Sequence, residues 1–350
     1  MTEQKANIQW LDTLRTLATL GVVLIHISSP IVNRTFPENM SHWWIGNVLM
    51  SLTRYAVPMF LMLSGATMLT REYDRKEFYK KRLMRVIVPF LFWMIVYFFF
   101  RYFTLPVKNQ PTGVSSVLSW AGNLFLNEGV SKHFWYIYMI IFIYLFVPIL
   151  GKFARSIKSG VMLVVLTIWV CAALYSNRFP ANMYLFTDTA RLVKYVIYAG
   201  YLLLGFFLYQ NITANEKQRI VAFLLFAATV AISAIYTYAV SVGKRSADQS
   251  IYNYLSINTI LQATAIFIWI KGVSLKSSFV RKLSAIISDY SYGIYLVHIM
   301  ILGIFFRHGI FWTMAHPLIS VPVVFLLTII TSFILIFILR KIPFGKYVSG

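Results

Sequence analysis

Apolar residues in this chain gather in long blocks, and the blocks have the length a helix needs to cross a bilayer. A crossing helix takes roughly 20 mainly apolar residues. Blocks of that kind lie at about 8–29, 44–69, 86–103, 133–150, 161–176, 194–210, 220–242, 254–271, 285–306 and 318–339. The fifth and sixth are the shortest. The pattern predicts an all-α fold, a polytopic membrane bundle of about ten transmembrane helices. The longest connection, about 104–132, is polar and turn-rich around Pro106, Pro111 and Gly113, and its stretch from Val114 to Leu126 predicts an interfacial helix. No internal repeat is visible, which weighs against transporter folds built from inverted repeats.

Composition agrees with the pattern. Of 350 residues 59% are hydrophobic and only 12% charged, about half the charged share of a soluble domain. The charges are lopsided, with 32 Lys+Arg against 11 Asp+Glu and a formal net charge of +21. In a soluble protein that excess would suggest nucleic acid. Here too little polar surface remains for a hydrated groove, so no nucleic-acid partner is expected. Lys and Arg concentrated in cytoplasmic loops produce the same excess. With the amino terminus inside, twenty of them fall in inside segments and nine outside, while Arg15, Arg54 and Arg101 lie within predicted spans. Both termini are therefore expected in the cytoplasm. The first block carries Asp12 and Arg15 and lacks a small-residue cleavage site, unlike a signal peptide. One transmembrane domain over 1–350, with no fused soluble domain, is the expected organisation. The single cysteine, Cys171, sits in an apolar run and leaves no disulfide or thiolate metal site.

Ionisable residues inside spans are costly, and by default they mark a pathway or a site. The first span carries Asp12, Arg15 and His26. Eleven residues turn a helix through about 1100°, so Arg15 and His26 lie roughly 20° from one face and about 16 Å apart along the axis. A cation at one end and an imidazole at the other suit a long anionic substrate whose reactive tip reaches the far side. The plainer reading pairs Arg15 with Asp12 and leaves His26 a packing residue. Arg82 and Arg85 share a face at i, i+3, which suits bidentate phosphate binding, although basic clusters at inner helix starts are commonly topology signals. In the ninth span Ser288, Ser291, Tyr295 and His298 form one helical stripe. That stripe either lines a cavity opposite the first helix or ties helices together through hydrogen bonds.

In the second span Arg54 precedes VPMFLMLSGA, where Pro58 loosens the helix and Ser64-Gly65 permits close approach of backbones. His133 opens the fourth span within KHFWY, with Glu128 upstream as an ordinary loop acid or an aid to a catalytic histidine. Trp43, Trp44, Trp135 and Trp312 read as interfacial belt residues. His42, His308 and His316 lack the partners of a metal site, and no nucleophile-elbow, Walker or dinucleotide motif occurs.

Taken in order, these residues resemble the integral-membrane acyltransferase-3 family. Arg15 followed by His26 looks like its first-helix signature, and Arg82-x-x-Arg85 like its cytoplasmic arginine pair. VPMFLMLSG, HFWY and SYGIYLVH complete a set running from Trp10 to His298. The organisation is similar to the short, ten-helix members acting in surface-polysaccharide acetylation, the enterobacterial common antigen type. Thr16 is a departure, standing where family members usually carry glycine. The resemblance implies acetyl-CoA as a donor substrate arriving from the cytoplasm, with no permanently bound cofactor. It implies a glycan hydroxyl as acceptor and the bacterial plasma (inner) membrane as location. Arg15, Arg82 and Arg85 would hold the donor phosphates, and His26 would act as general base or as a nucleophile. Ser64, His133, Ser291, Tyr295 and His298 would line the cavity, with Tyr295 or His298 donating to the oxyanion. A homo-oligomer stays open, and the rival class is a transporter or flippase for a glycan or an anionic small molecule.

Overall fold

The computed structural model describes residues 2–106, 109–125, 129–177 and 189–350. Among the described residues every regular element is helical. The long first helix, α1, covers Thr2–Thr35 and is followed by α2 (Met40–Thr53) and α3 (Ala56–Met68). A basic turn, α4 (Arg75–Phe78) and a π-helical stretch Tyr79–Leu83, leads into α5 (Met84–Thr104). Then come α6 (Val114–Asn123), α7 (Trp135–Ser156), α8 (Ser159–Ser176), α9 (Thr189–Tyr198) and α10 (Gly200–Asn211). The chain closes with α11 (Glu216–Lys244), α12 (Ile257–Ile270), α13 (Ser278–Arg307) and α14 (Pro317–Lys341). Helix α6 falls inside the stretch expected to be helical and buries none of its residues.

Every expected apolar block contains helix, and three of them are interrupted. Within the described residues nine segments are long and apolar enough to cross a membrane, while Ile257–Ile270 is a shorter apolar helix. Its 14 residues rise only about 21 Å, against a hydrocarbon core of roughly 30 Å. The side chain of Ser256 caps its start by accepting from the Thr259 amide. The loop before it folds inward, with Tyr252 and Leu255 buried. Irregular backbone at such depth persists only where protein satisfies its polar groups. Here Arg54 donates to the Tyr252 carbonyl (3.2 Å) and to the Tyr254 hydroxyl (2.9 Å).

The other two breaks follow from single residues. Pro58 lacks an amide proton and its ring crowds the carbonyl four residues back, that of Arg54, so one expected span becomes α2 and α3 with Arg54 at the joint. Between α9 and α10 the Trp169 indole donates to the Ile197 carbonyl (2.7 Å), and Gly200 leaves it room, since a Cβ there would sit 2.1 Å from Nε1. Helices α3 and α10 cross closely for the same reason. A Cβ on Gly65 would lie 1.9 Å from the Leu202 carbonyl oxygen, and one on Gly205 2.1 Å from that of Met62. Large apolar side chains face outward, Phe103, Leu318 and Ile168 among them, as a surface solvated by lipid requires. Trp43 and Trp312 are instead buried. Trp43 packs against Phe36, Trp44 and Tyr238, so for these two the belt reading gives way to core packing.

Candidate active site

Two cavities face each other along α1 and α5. The first, about 270 Å³, has Arg15, Arg82 and Arg85 in its wall together with Ser64, Ser291 and Tyr295. The second, about 480 Å³, is walled by His26 and His133 with Arg101 and Lys132. Arg15 to His26 advances about 16 Å along α1, and Arg85 to Arg101 about 24 Å along α5. Both helices therefore run from the first cavity toward the second, and the two lie toward opposite ends of the bundle.

Three arginines converge on the first cavity by different means. Arg15 donates to the Ser288 hydroxyl (3.0 Å) and stands 3.6 Å from Asp12, to which Ser288 donates in turn (2.7 Å). The Asp12 pairing is real, yet it leaves the Arg15 side chain 34% exposed and part of the wall. Thr16 donates to the Ser284 carbonyl (2.8 Å) and adds a second tie between α1 and α13, which a glycine would lack. Arg82 lies in the π-helical stretch Tyr79–Leu83 and Arg85 in the first turn of α5. Such an inserted residue re-aims the side chains around it and recurs at functional sites.

Between the cavities lies a septum of rings. The centroid of His298 is 5.2 Å from that of His26 and 5.2 Å from that of His133. Tyr295 packs 5.3 Å from His133. Pro30 stands four residues beyond His26 and supplies no amide proton to its carbonyl, a weak point in α1 at the histidine. His298 Nδ1 faces the carbonyl oxygens of Tyr295 (2.7 Å) and Ile294 (3.2 Å). Two oxygen acceptors place the proton on Nδ1. Nε2 of the neutral ring then offers a lone pair, and among the described residues it has no partner. Tyr295 donates its hydroxyl proton to the His133 carbonyl. Neither residue therefore has the spare proton that the expected oxyanion role requires.

Applied to the other wall hydroxyls, the same test leaves two without a hydrogen-bond partner among the described residues, Ser291 and Tyr136, and of these only the Tyr136 hydroxyl is buried. Ser64 donates to the Phe60 carbonyl (2.9 Å), which leaves Tyr144 to donate to Ser64 (3.0 Å). Tyr292 donates to the Val86 carbonyl (2.8 Å) and Thr67 to that of Leu63 (2.7 Å). The Tyr136 hydroxyl is buried, lies in the wall of the first cavity and has no partner among the described residues. The residue roles expected from sequence did not include Tyr136, Tyr144 or Tyr292. The recurrence of Ile137, Ile140 and Tyr144 at helical spacing was the available signal, and it looks the same as ordinary core periodicity. Glu128 lies outside the described residues. Among the described residues no three His, Cys, Asp or Glu side chains are arranged to hold a metal ion.

The arrangement suits group transfer across a thin wall of rings, with an arginine-lined cavity on one side and a cavity lined by imidazoles, Arg101 and Lys132 on the other. No curated protein and no solved structure matches the chain. A family model does match: residues 8–340 fit the acyltransferase domain of acyltransferase family 3, and the chain belongs to that family.

Proposed function

We propose that this membrane acyltransferase moves an acetyl or similar short acyl group from cytoplasmic acetyl-CoA to a hydroxyl of a cell-surface or lipid-linked glycan on the outer side of the bacterial plasma membrane. The observation that carries the reading is the pair of cavities on either side of the packed rings of Tyr295, His133 and His298, with Arg15, Arg82 and Arg85 in the wall of one and His26 and His133 in that of the other. The Lys and Arg distribution puts the arginine-lined cavity inside. Guanidinium groups there hold the donor phosphates through charge-assisted hydrogen bonds, and the acyl end extends toward the septum.

His26 lines the acceptor-side cavity, which favours direct transfer over an acyl-imidazole. Its neutral ring takes the proton of the acceptor hydroxyl as that oxygen attacks the thioester carbonyl. The carbon–sulfur bond then breaks, and His26 returns the proton to the departing thiolate. His298, whose ring centroid lies 5.2 Å from that of His26, packs beside it and limits how the His26 ring can turn. The Tyr136 hydroxyl donates to the carbonyl oxygen as charge develops there. Membership of an acyltransferase family speaks against the transporter alternative. The test is purified protein with labelled acetyl-CoA and crude envelope glycan: free CoA together with labelled glycan is expected, and label moved across vesicles with the thioester intact would overturn the reading.

A further inference from the structure

The first cavity is too small for the whole donor. Its volume of about 270 Å³ falls below the roughly 300–1,000 Å³ that drug-sized ligands occupy, and a nucleotide thioester is larger than those. A groove of about 800 Å³ adjoins it, and Arg85 and Gly350 belong to both walls. Lys80, Lys81, Arg340 and Lys346 also line the groove, with Asp289 as its carboxylate. Asp289 pairs with Arg340 at 2.5 Å, and Lys81 pairs with Glu77 at 2.6 Å. Lys80, Arg85 and Lys346 form no ion pair among the described residues, so three cations face the groove without an ion-pair partner. Tyr347, also in the wall, is 57% exposed, with the Lys346 ammonium 5.1 Å from its ring.

We propose that this groove binds the nucleoside and 3′-phosphate end of the acyl donor, while the diphosphate lies at its junction with the first cavity, toward Arg85, Arg82 and Arg15, and the cavity takes the acyl-bearing arm. The inference rests on the donor assignment above and adds where the donor's charge sits. A nucleoside carrying a 5′-diphosphate and a 3′-phosphate brings about four negative charges, the monoester supplying nearly two. Lys80, Lys346 and Arg85 meet those phosphates, and Tyr347 offers a face on which a base stacks. Arg85, shared by the two walls, stands where the diphosphate passes from groove to cavity. A phospholipid headgroup would satisfy the same cations, and the two sources differ in what a truncated donor does.

Protein in detergent free of anionic lipid is titrated with adenosine 3′,5′-bisphosphate by calorimetry, and acetyl transfer is followed with acetyl-CoA and with acetyl-pantetheine. Lys80→Gln combined with Lys346→Gln is expected to weaken bisphosphate binding at least about tenfold. The same double variant should raise KM for acetyl-CoA to a similar extent while KM for acetyl-pantetheine stays put. Tyr347→Leu should cost about tenfold in bisphosphate affinity. Lys282→Gln, exposed and away from the groove, should change nothing and controls for charge alone. All of these side chains are exposed, so folding is checked by unchanged thermal unfolding. Equal bisphosphate affinity in wild type and the lysine variant, or none in wild type, overturns the proposal. So does a lysine effect that appears only when anionic phospholipid is added. Nucleotide binding without acetyl transfer would sink the acyl-donor reading and leave the groove, whereas transfer with unchanged KM in the lysine variant would do the reverse.

Discussion

The arginine mouth and the histidine septum share helix α1 and obey opposite rules. The mouth is partly wet: Arg15 is one-third exposed and Arg85 lies open. Charges there act at a distance, tolerate imprecise placement and are screened by salt. The septum is drier, with His298 fully buried and His133 nearly so, while His26 is half-buried at the edge of the second cavity. Groups there act through which nitrogen carries the proton and which hydroxyl is already engaged, both decided by one or two backbone carbonyls. Losing a mouth residue should weaken binding by degrees; losing a septum residue should stop chemistry.

Four variants probe that contrast. His26→Ala should lower the rate of acetyl transfer by at least 10²–10⁴-fold while the protein still inserts and folds; near-normal labelled glycan from this variant would put the chemistry elsewhere. Tyr136→Phe keeps the ring packing and removes one hydroxyl, so kcat should fall about 10²–10³-fold with KM for the donor nearly constant. A rise in KM alone would assign Tyr136 to binding and blur the distinction between wall and mouth. Arg82→Ala with Arg85→Ala should weaken donor binding about tenfold or more, with the gap from wild type narrowing as salt rises. Calorimetry showing identical affinity at all salt concentrations would return both arginines to a topology role. The smallest effect belongs to Thr16→Val, which removes the hydrogen bond to Ser284. A loss near 0.6 kcal/mol of stability is expected from such interhelical bonds, and a change in kcat above twofold would mean that the α1–α13 tie also sets the position of His26.

Much of this was legible in the chain. Apolar blocks of bilayer length report helices directly, because a backbone in lipid has few other ways to satisfy its polar groups. Arg15 and His26 could be set on one face by arithmetic, since α1 runs unbroken from Thr2 to Thr35. The stripe of Ser288, Ser291, Tyr295 and His298 was likewise readable, and each member faces α1 or a cavity wall. What was not readable depended on partners distant in sequence. The eighth block shortens to Ile257–Ile270 because Arg54, some 200 positions earlier, holds the preceding loop inside. The direction of the Trp43 side chain depended on Tyr238 in the same way.

Hydrophobic periodicity and charge along this one chain determined that it is a helical membrane bundle with ionisable residues inside its spans, because those properties depend on local spacing and on transfer from water to lipid. Tertiary structure decided which hydroxyls keep a proton to give, which histidine nitrogen is bare, and that the basic tail around Lys346 and Tyr347 borders the arginine cavity. Each of those is settled by a hydrogen-bond partner or a packing neighbour that the fold supplies from a remote segment, and spacing along a sequence carries no record of it.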